Sequence, residues 1–222
     1  MPPEHTRATE CRPYYKQFFE EFKFCLQCAK SPVSSFEAVK WEGKGSVKAG
    51  LVIVFLFFVT MVLDAQLTGF IFNPRNLDEF SVITVFAVTV GGFFVVFVAH
   101  YAVSTFLPSE ANLRQLFITL SYPLVSFIIL RIIFIILSNF VAMEMGVFLN
   151  VLNIIGIGWT VIALILGMIQ THRISFGMVL GDLALTVIGS VTILFFMLLI
   201  FSLFQQLNIF FYTIINEIMF RL

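Results

Sequence analysis

The chain has 222 residues, 59% of them hydrophobic and 12% charged, with a formal net charge of zero and a mean hydropathy of +1.00. That balance is too apolar for a water-soluble domain and points to an all-α polytopic membrane protein. Nucleic-acid binding is excluded as well, because no basic patch with interleaved aromatics recurs beyond the N-terminal tail.

Residues 1–48 form that tail. MPPEHTRATECRPYY has neither an apolar core nor a small-residue cleavage site, so no cleavable signal is expected and the first apolar span must direct insertion. Cys11, Cys25 and Cys28 all lie here, and in a cytoplasmic tail they are reduced thiols. Cys25 and Cys28 make a C-x-x-C, but a zinc ribbon needs a second pair or paired histidines, and His5 stands alone. No metal and no cofactor is therefore expected. In YYKQFFEEFKFCLQCAK, residues Tyr15, Phe18, Phe19, Phe22, Cys25, Leu26 and Ala29 share one helical face, opposite Lys16, Glu20, Lys23, Gln27 and Lys30. Such a helix lies at the headgroup boundary or docks on a partner, and Pro32 stops it.

Five apolar runs follow: 49–70, 81–107, 116–138, 147–169 and 178–203, each of about bilayer length. The breaks between them are too short for a separate globular domain. Residues 49–204 thus form a five-helix transmembrane domain, and 205–222 an amphipathic C-terminal segment or an extension of the fifth span. Eight of the thirteen Lys and Arg precede Gly50. Placing the N-terminus inside puts these with Arg114 and Arg173, leaving Arg75 and Arg221 outside; the C-terminus is then outside. No internal repeat supports an inverted-repeat transporter.

Asp64 and Arg131 are the ionisable residues well within spans. Both sit about 6–7 Å to the outer side of the midplane at 1.5 Å per residue. A lone charge there costs roughly 2.5–3.5 kcal/mol, so a partner is expected. The pair either fixes helix packing or opens to bind a polar solute; snorkelling of Arg131 to the headgroups competes with both. Asn150 and Asn153 lie near the same level and could complete a polar cluster. In LFITLSYPLVSFIILRIIFIIL, Pro123 removes the amide that would bond the Thr119 carbonyl and kinks the third span. His100 reads as a lone hydrogen-bonded packing residue. Asp182, one turn into the fifth span, could pair with Arg173 or His172 or reach headgroups. Gly177 and Gly181 permit close helix approach, a weakly specific pattern.

Signatures of catalysis are missing. There is no H-E-x-x-H, no G-x-S-x-G and no Walker loop. A non-enzymatic protein is expected.

The chain resembles the YIP family, the Ypt/Rab-interacting proteins, in its bacterial branch. SPVSSFEAVKWEGKGSVKAG is similar to the family's approach to the first span, LFITLSYPLVSFIIL to its Tyr- and Pro-bearing third span, and INEIMFRL to the ending of bacterial members. In this chain the proline directly follows Tyr122, whereas the family places it a few residues later. The resemblance implies five spans, a cytoplasmic N-terminus, no catalysis and a bacterial plasma-membrane location. Eukaryotic relatives bind prenylated small GTPases, and bacterial ones accompany carbohydrate ABC transporter components.

Two functional readings follow. In the first, the protein is a membrane adaptor or scaffold, set in membrane lipids and engaging a membrane or cytosolic protein. Phe18, Phe19, Phe22, Phe36 and Trp41 are then the interfacial or partner-binding aromatics. In the second it is a small transporter or channel subunit, with Asp64, Arg131, Asn150 and Asn153 lining an outer polar cavity. A lipid-handling role ranks third.

Overall fold

The computed structural model describes residues 14–73, 75, 80–106 and 111–221, with side chains between residues 20 and 220. Two short helices, α1 (Tyr14–Lys30) and α2 (Pro32–Trp41), precede five long ones. These are α3 (Val47–Leu67), α4 (Val82–Ser104), α5 (Leu113–Ser138), α6 (Gly146–His172) and α7 (Phe176–Arg221). Each of the five is long and apolar enough to cross a membrane, and no strand occurs among the described residues. The chain is an all-α polytopic protein. Its loops alternate between the end that carries α1 and α2, called the tail side, and the far side.

Pro123 divides α5 into Leu113–Ser121 and Leu124–Ser138. The turn tightens across the break, with Val125 N–H donating to the Tyr122 carbonyl at 3.1 Å and Ser126 N–H to the Pro123 carbonyl at 3.1 Å. The Thr119 and Ser121 hydroxyls bond back to the Gln115 and Phe117 carbonyls, both at 2.8 Å. They thereby cap the segment before the break rather than bridging it. A π turn over Ala87–Gly91 lies within α4.

α1 and α2 form a hairpin set into the side of the bundle. Cys25, Cys28, Phe36 and Val39 join Ile53, Ile118, Tyr122, Val125 and Ile128 in one core. Phe24 meets Tyr122 edge-on at 6.3 Å. The buried stripe of α1 therefore runs through Phe24, Cys25 and Cys28, while Phe22 and Leu26, expected on that face, are exposed. Phe18 and Phe19 lie in α1 but outside the residues whose side chains are described. The hairpin also reaches deep. Trp159, the middle residue of α6, donates its indole N–H to the Ala29 carbonyl at 2.9 Å. From there α2 climbs beside α6, with Phe36 against Gly167, until the Arg173 guanidinium lies 4.7 Å over the Trp41 ring. The sequence suggests a helix at the headgroup boundary or docked on a partner; within this chain the hairpin packs against α3, α5 and α6.

The last helix is one rod of 46 residues, about 70 Å long, so residues 205–221 continue the helix of the fifth span. Val179, Asp182, Thr186 and Ser190 mark its buried stripe, which faces α4. From Leu194 to Phe220 no side chain is buried.

Candidate functional site

Two buried polar sites occupy opposite ends of the bundle. The far-side site is built on Asp64, near the end of α3, which is 1% exposed. Arg131 on α5 takes it in a fork: Nε donates to Oδ1 at 2.8 Å and Nη2 to Oδ2 at 2.8 Å. Two planar groups matched this way form the strongest kind of charge-assisted contact. Arg75, from the loop beyond α3, adds Nη1 to Oδ2 at 3.0 Å, and Thr68 donates its hydroxyl to Oδ1 at 3.1 Å. The remaining Arg131 nitrogen, Nη1, donates to Asn153 Oδ1 at 2.7 Å, and its guanidinium lies 4.6 Å from the centre of the Phe134 ring.

Local backbone packing sets this geometry. The Gly69 N–H donates to Ser138 Oγ at 2.9 Å and the Asn139 side chain donates to the Leu67 carbonyl at 2.8 Å, stitching the far ends of α3 and α5 together. Approach is so close that a Cβ on Gly69 would collide with the Ser138 carbonyl oxygen. Asp64, Arg131 and Asn153 thus come together as the sequence suggests. Asn150 does not; it is exposed on α6, a turn away from the face that meets Arg131. Arg75 was assigned only to a loop and was not foreseen as a second cation on Asp64. Beside Arg131 and Asn153 the cavity amounts to about 10 Å³, room for about one water. Chemically the site is a saturated ion cluster.

The tail-side site was foreseen only in part, through His172 as one of the partners read for Asp182. His100 on α4, His172 ending α6 and Asp182 on α7 are each 0% exposed. His100 Nε2 faces His172 Nε2 at 3.3 Å, His100 Nδ1 meets Thr186 Oγ1 at 3.2 Å, and Asp182 Oδ2 lies 3.6 Å from His100 Nδ1. Neither Asp182 oxygen has a hydrogen-bond partner. His100 is therefore not a lone packing histidine. Nor does Asp182 reach Arg173 or the surface, since Arg173 is engaged with Trp41. The three residues come from three different spans, and no sequence spacing links His100 to the other two. Their shared signal is depth, because each stands within a few residues of the tail-side end of its helix.

Of the expected partner-binding aromatics, Phe36 is 0% exposed and unavailable to a partner. A Cβ on Gly167 would come 2.9 Å from its ring, so the glycine is what admits it. Trp41, at 61%, and Phe22, at 38%, remain open. Between α1 and the loop before α3 lies a groove of about 450 Å³, lined by Glu20, Glu21, Lys23, Phe24, Gln27, Lys44 and Gly45. Compared with family models, curated proteins and solved structures, the chain matches none.

Proposed function

We propose that this protein is a non-enzymatic integral membrane adaptor of the YIP type, with its N-terminus in the cytoplasm, its C-terminus outside, and its last helix as the docking element. One observation carries the reading. From Leu194 to Phe220 the helix is mostly apolar, its polar residues gathered at Ser202, Gln205, Gln206, Asn208, Thr213, Asn216 and Glu217, and none of its side chains is buried within its own chain, over about 40 Å. Exposed apolar surface of that extent calls for cover by lipid or by another protein. Lipid alone covers part of that length, and the remainder fits the spans of another membrane protein.

Support for the YIP resemblance comes from the way its motifs meet. Ser46, in the glycine-rich approach to the first span, donates its N–H to the Tyr122 hydroxyl at 2.9 Å. Arg114 donates to the Gly43 and Gly45 carbonyls at 3.0 and 2.6 Å. Two of the three stretches on which the likeness rests thus meet directly. The expected partner is a transporter component in the bacterial plasma membrane. A transporter role for this chain itself is less favoured, because Asp64 is held by two arginines and a threonine with space for about one water beside them.

Photo-crosslinking groups at Phe196, Phe204 and Trp41, activated in native membranes, test the proposal. A protein adduct from the two α7 positions supports it. Lipid adducts alone at all three positions overturn it.

A further inference from the structure

We propose that His100, His172 and Asp182 form a binding site for a first-row divalent transition metal, with zinc as the type ion. The site joins α4, α6 and α7 at the tail side and does not depend on the adaptor reading.

Geometry supplies the first argument. One ligand atom from each residue lies within 4.8 Å of the other two. Two nitrogens bound to zinc at about 2.0–2.1 Å, with a tetrahedral angle between them, stand about 3.3 Å apart. The two Nε2 atoms here are 3.3 Å apart. A bare histidine pair can share only a single proton across that gap; a cation uses both lone pairs.

Asp182 supplies an independent argument. It is completely buried, and both its oxygens lack hydrogen-bond partners. Leaving a buried carboxylate unsatisfied is expensive, the more so between apolar helices. His100 Nδ1, at 3.6 Å, is too far for a proper hydrogen bond. A divalent cation held by this oxygen and the two imidazoles would satisfy it and balance its charge.

The surroundings fit as well. Thr186 Oγ1, 3.2 Å from His100 Nδ1, can accept the ring proton and so fix the tautomer that presents Nε2 to a metal. With imidazole and carboxylate donors and no thiolate, the set suits zinc, iron(II), cobalt or manganese rather than copper(I) or calcium. His172 is the final residue of α6 and adjoins Arg173, which is exposed at the tail-side surface.

The experiment uses the full chain in mild detergent, carrying an affinity tag free of histidine. Apart from His100 and His172, the only histidine is His5. After chelator treatment and reloading with zinc, elemental analysis is expected to find about one zinc ion per chain. Asp182→Asn, His100→Gln and His172→Gln should each remove it, while Cys25→Ser with Cys28→Ser keeps it. A cobalt-loaded wild type should show visible ligand-field bands without a near-ultraviolet thiolate band, a readout that needs no variant to fold. Stripped wild type that takes up no zinc, zinc retained in the Asp182→Asn protein, or a thiolate band in the cobalt form would each overturn the proposal.

Discussion

Arg131 grips both oxygens of Asp64, Nε on Oδ1 and Nη2 on Oδ2, each at 2.8 Å, from a helix that meets α3 more than sixty residues later in sequence. A fork of this kind tolerates neither a missing partner nor a rotated helix. Removing one member leaves the other buried and charged, a change that costs about 3–5 kcal/mol in protein interiors. Asp64→Asn is accordingly expected to unfold far earlier than wild type when detergent micelles are titrated with dodecyl sulfate. Replacing both residues, Asp64→Leu with Arg131→Met, should recover most of the loss. A double variant weaker than Asp64→Asn would show that the pair contributes more than mutual neutralisation.

Much of that cluster is legible in the sequence because depth is. Counting along two apolar runs of the same direction puts Asp64 and Arg131 at one level, and an intramembrane charge demands an opposite one. Asn153 follows from the same count. Asn150 fails because a level count is coarse: it lies about one turn along α6 from Asn153 and about 60° around it, and its side chain stays exposed. The tail-side triad as a whole was out of reach because level does not give rotation. His100, His172 and Asp182 need three helices to be rotated correctly at once. For the N-terminal hairpin, periodicity located α1 but not its buried stripe. That stripe was decided by α2, which Pro32 starts immediately after the turn at Ser31 and which packs on α6.

Gly167 is the gate for that hairpin. Its missing side chain leaves room for the Phe36 ring, which a Cβ would approach to 2.9–3.1 Å at three carbons. Overpacking of this kind costs typically 1–3 kcal/mol. Gly167→Val should lift α2 off α6 while the five spans stay helical. The expected signature is faster proteolysis between α1 and α3 at unchanged helical circular dichroism. Equal protection in variant and wild type would mean that Phe36 is accommodated elsewhere.

The two thiols of α1 report on the same docking. Burial, the largest cause, pushes Cys25 up to about 11 and Cys28 up to about 12, from a usual 9.0. Since the thiolate is the reactive form, both should resist alkylation at neutral pH until the protein is denatured. The sign of the stability effect follows. A raised value in the folded state means that the folded chain keeps protons that the unfolded chain releases above about pH 9. Stability is fully present below pH 9 and falls as pH rises toward 11–12. Lysines titrate in the same range, so the comparison is with Cys25→Ala and Cys28→Ala together, whose curve should be flatter there. Identical curves would show that the thiols are not docked in solution.

Tyr122 joins the third span to the start of the first through the bond it accepts from Ser46 N–H at 2.9 Å. Its ring is fully buried, so Tyr122→Phe keeps the packing and orphans one backbone donor. Ser46 is only half-buried, so the cost falls at the low end of the about 1–3 kcal/mol that an unsatisfied buried donor brings. The loss should appear as a lower unfolding midpoint, with faster amide exchange at Ser46 and at Lys48, whose N–H is held by the Ser46 hydroxyl. Unchanged exchange at both amides would indicate that water replaces the phenol.

The outer length of α7 separates folding from association. Since no side chain from Leu194 to Phe220 is buried, the bundle gains nothing from that stretch within one chain. Truncation after Ser202 leaves residues 176–202 of the helix, still enough to span a bilayer of about 30 Å at 1.5 Å per residue. The shortened protein should therefore retain its unfolding midpoint, its thiol protection and its Asp64–Arg131 coupling. What it should lose is the protein captured by a photo-crosslinking group at Phe196. A large drop in the midpoint would mean that the terminal length packs on the bundle after all, and that its exposed apolar surface is not free for a partner.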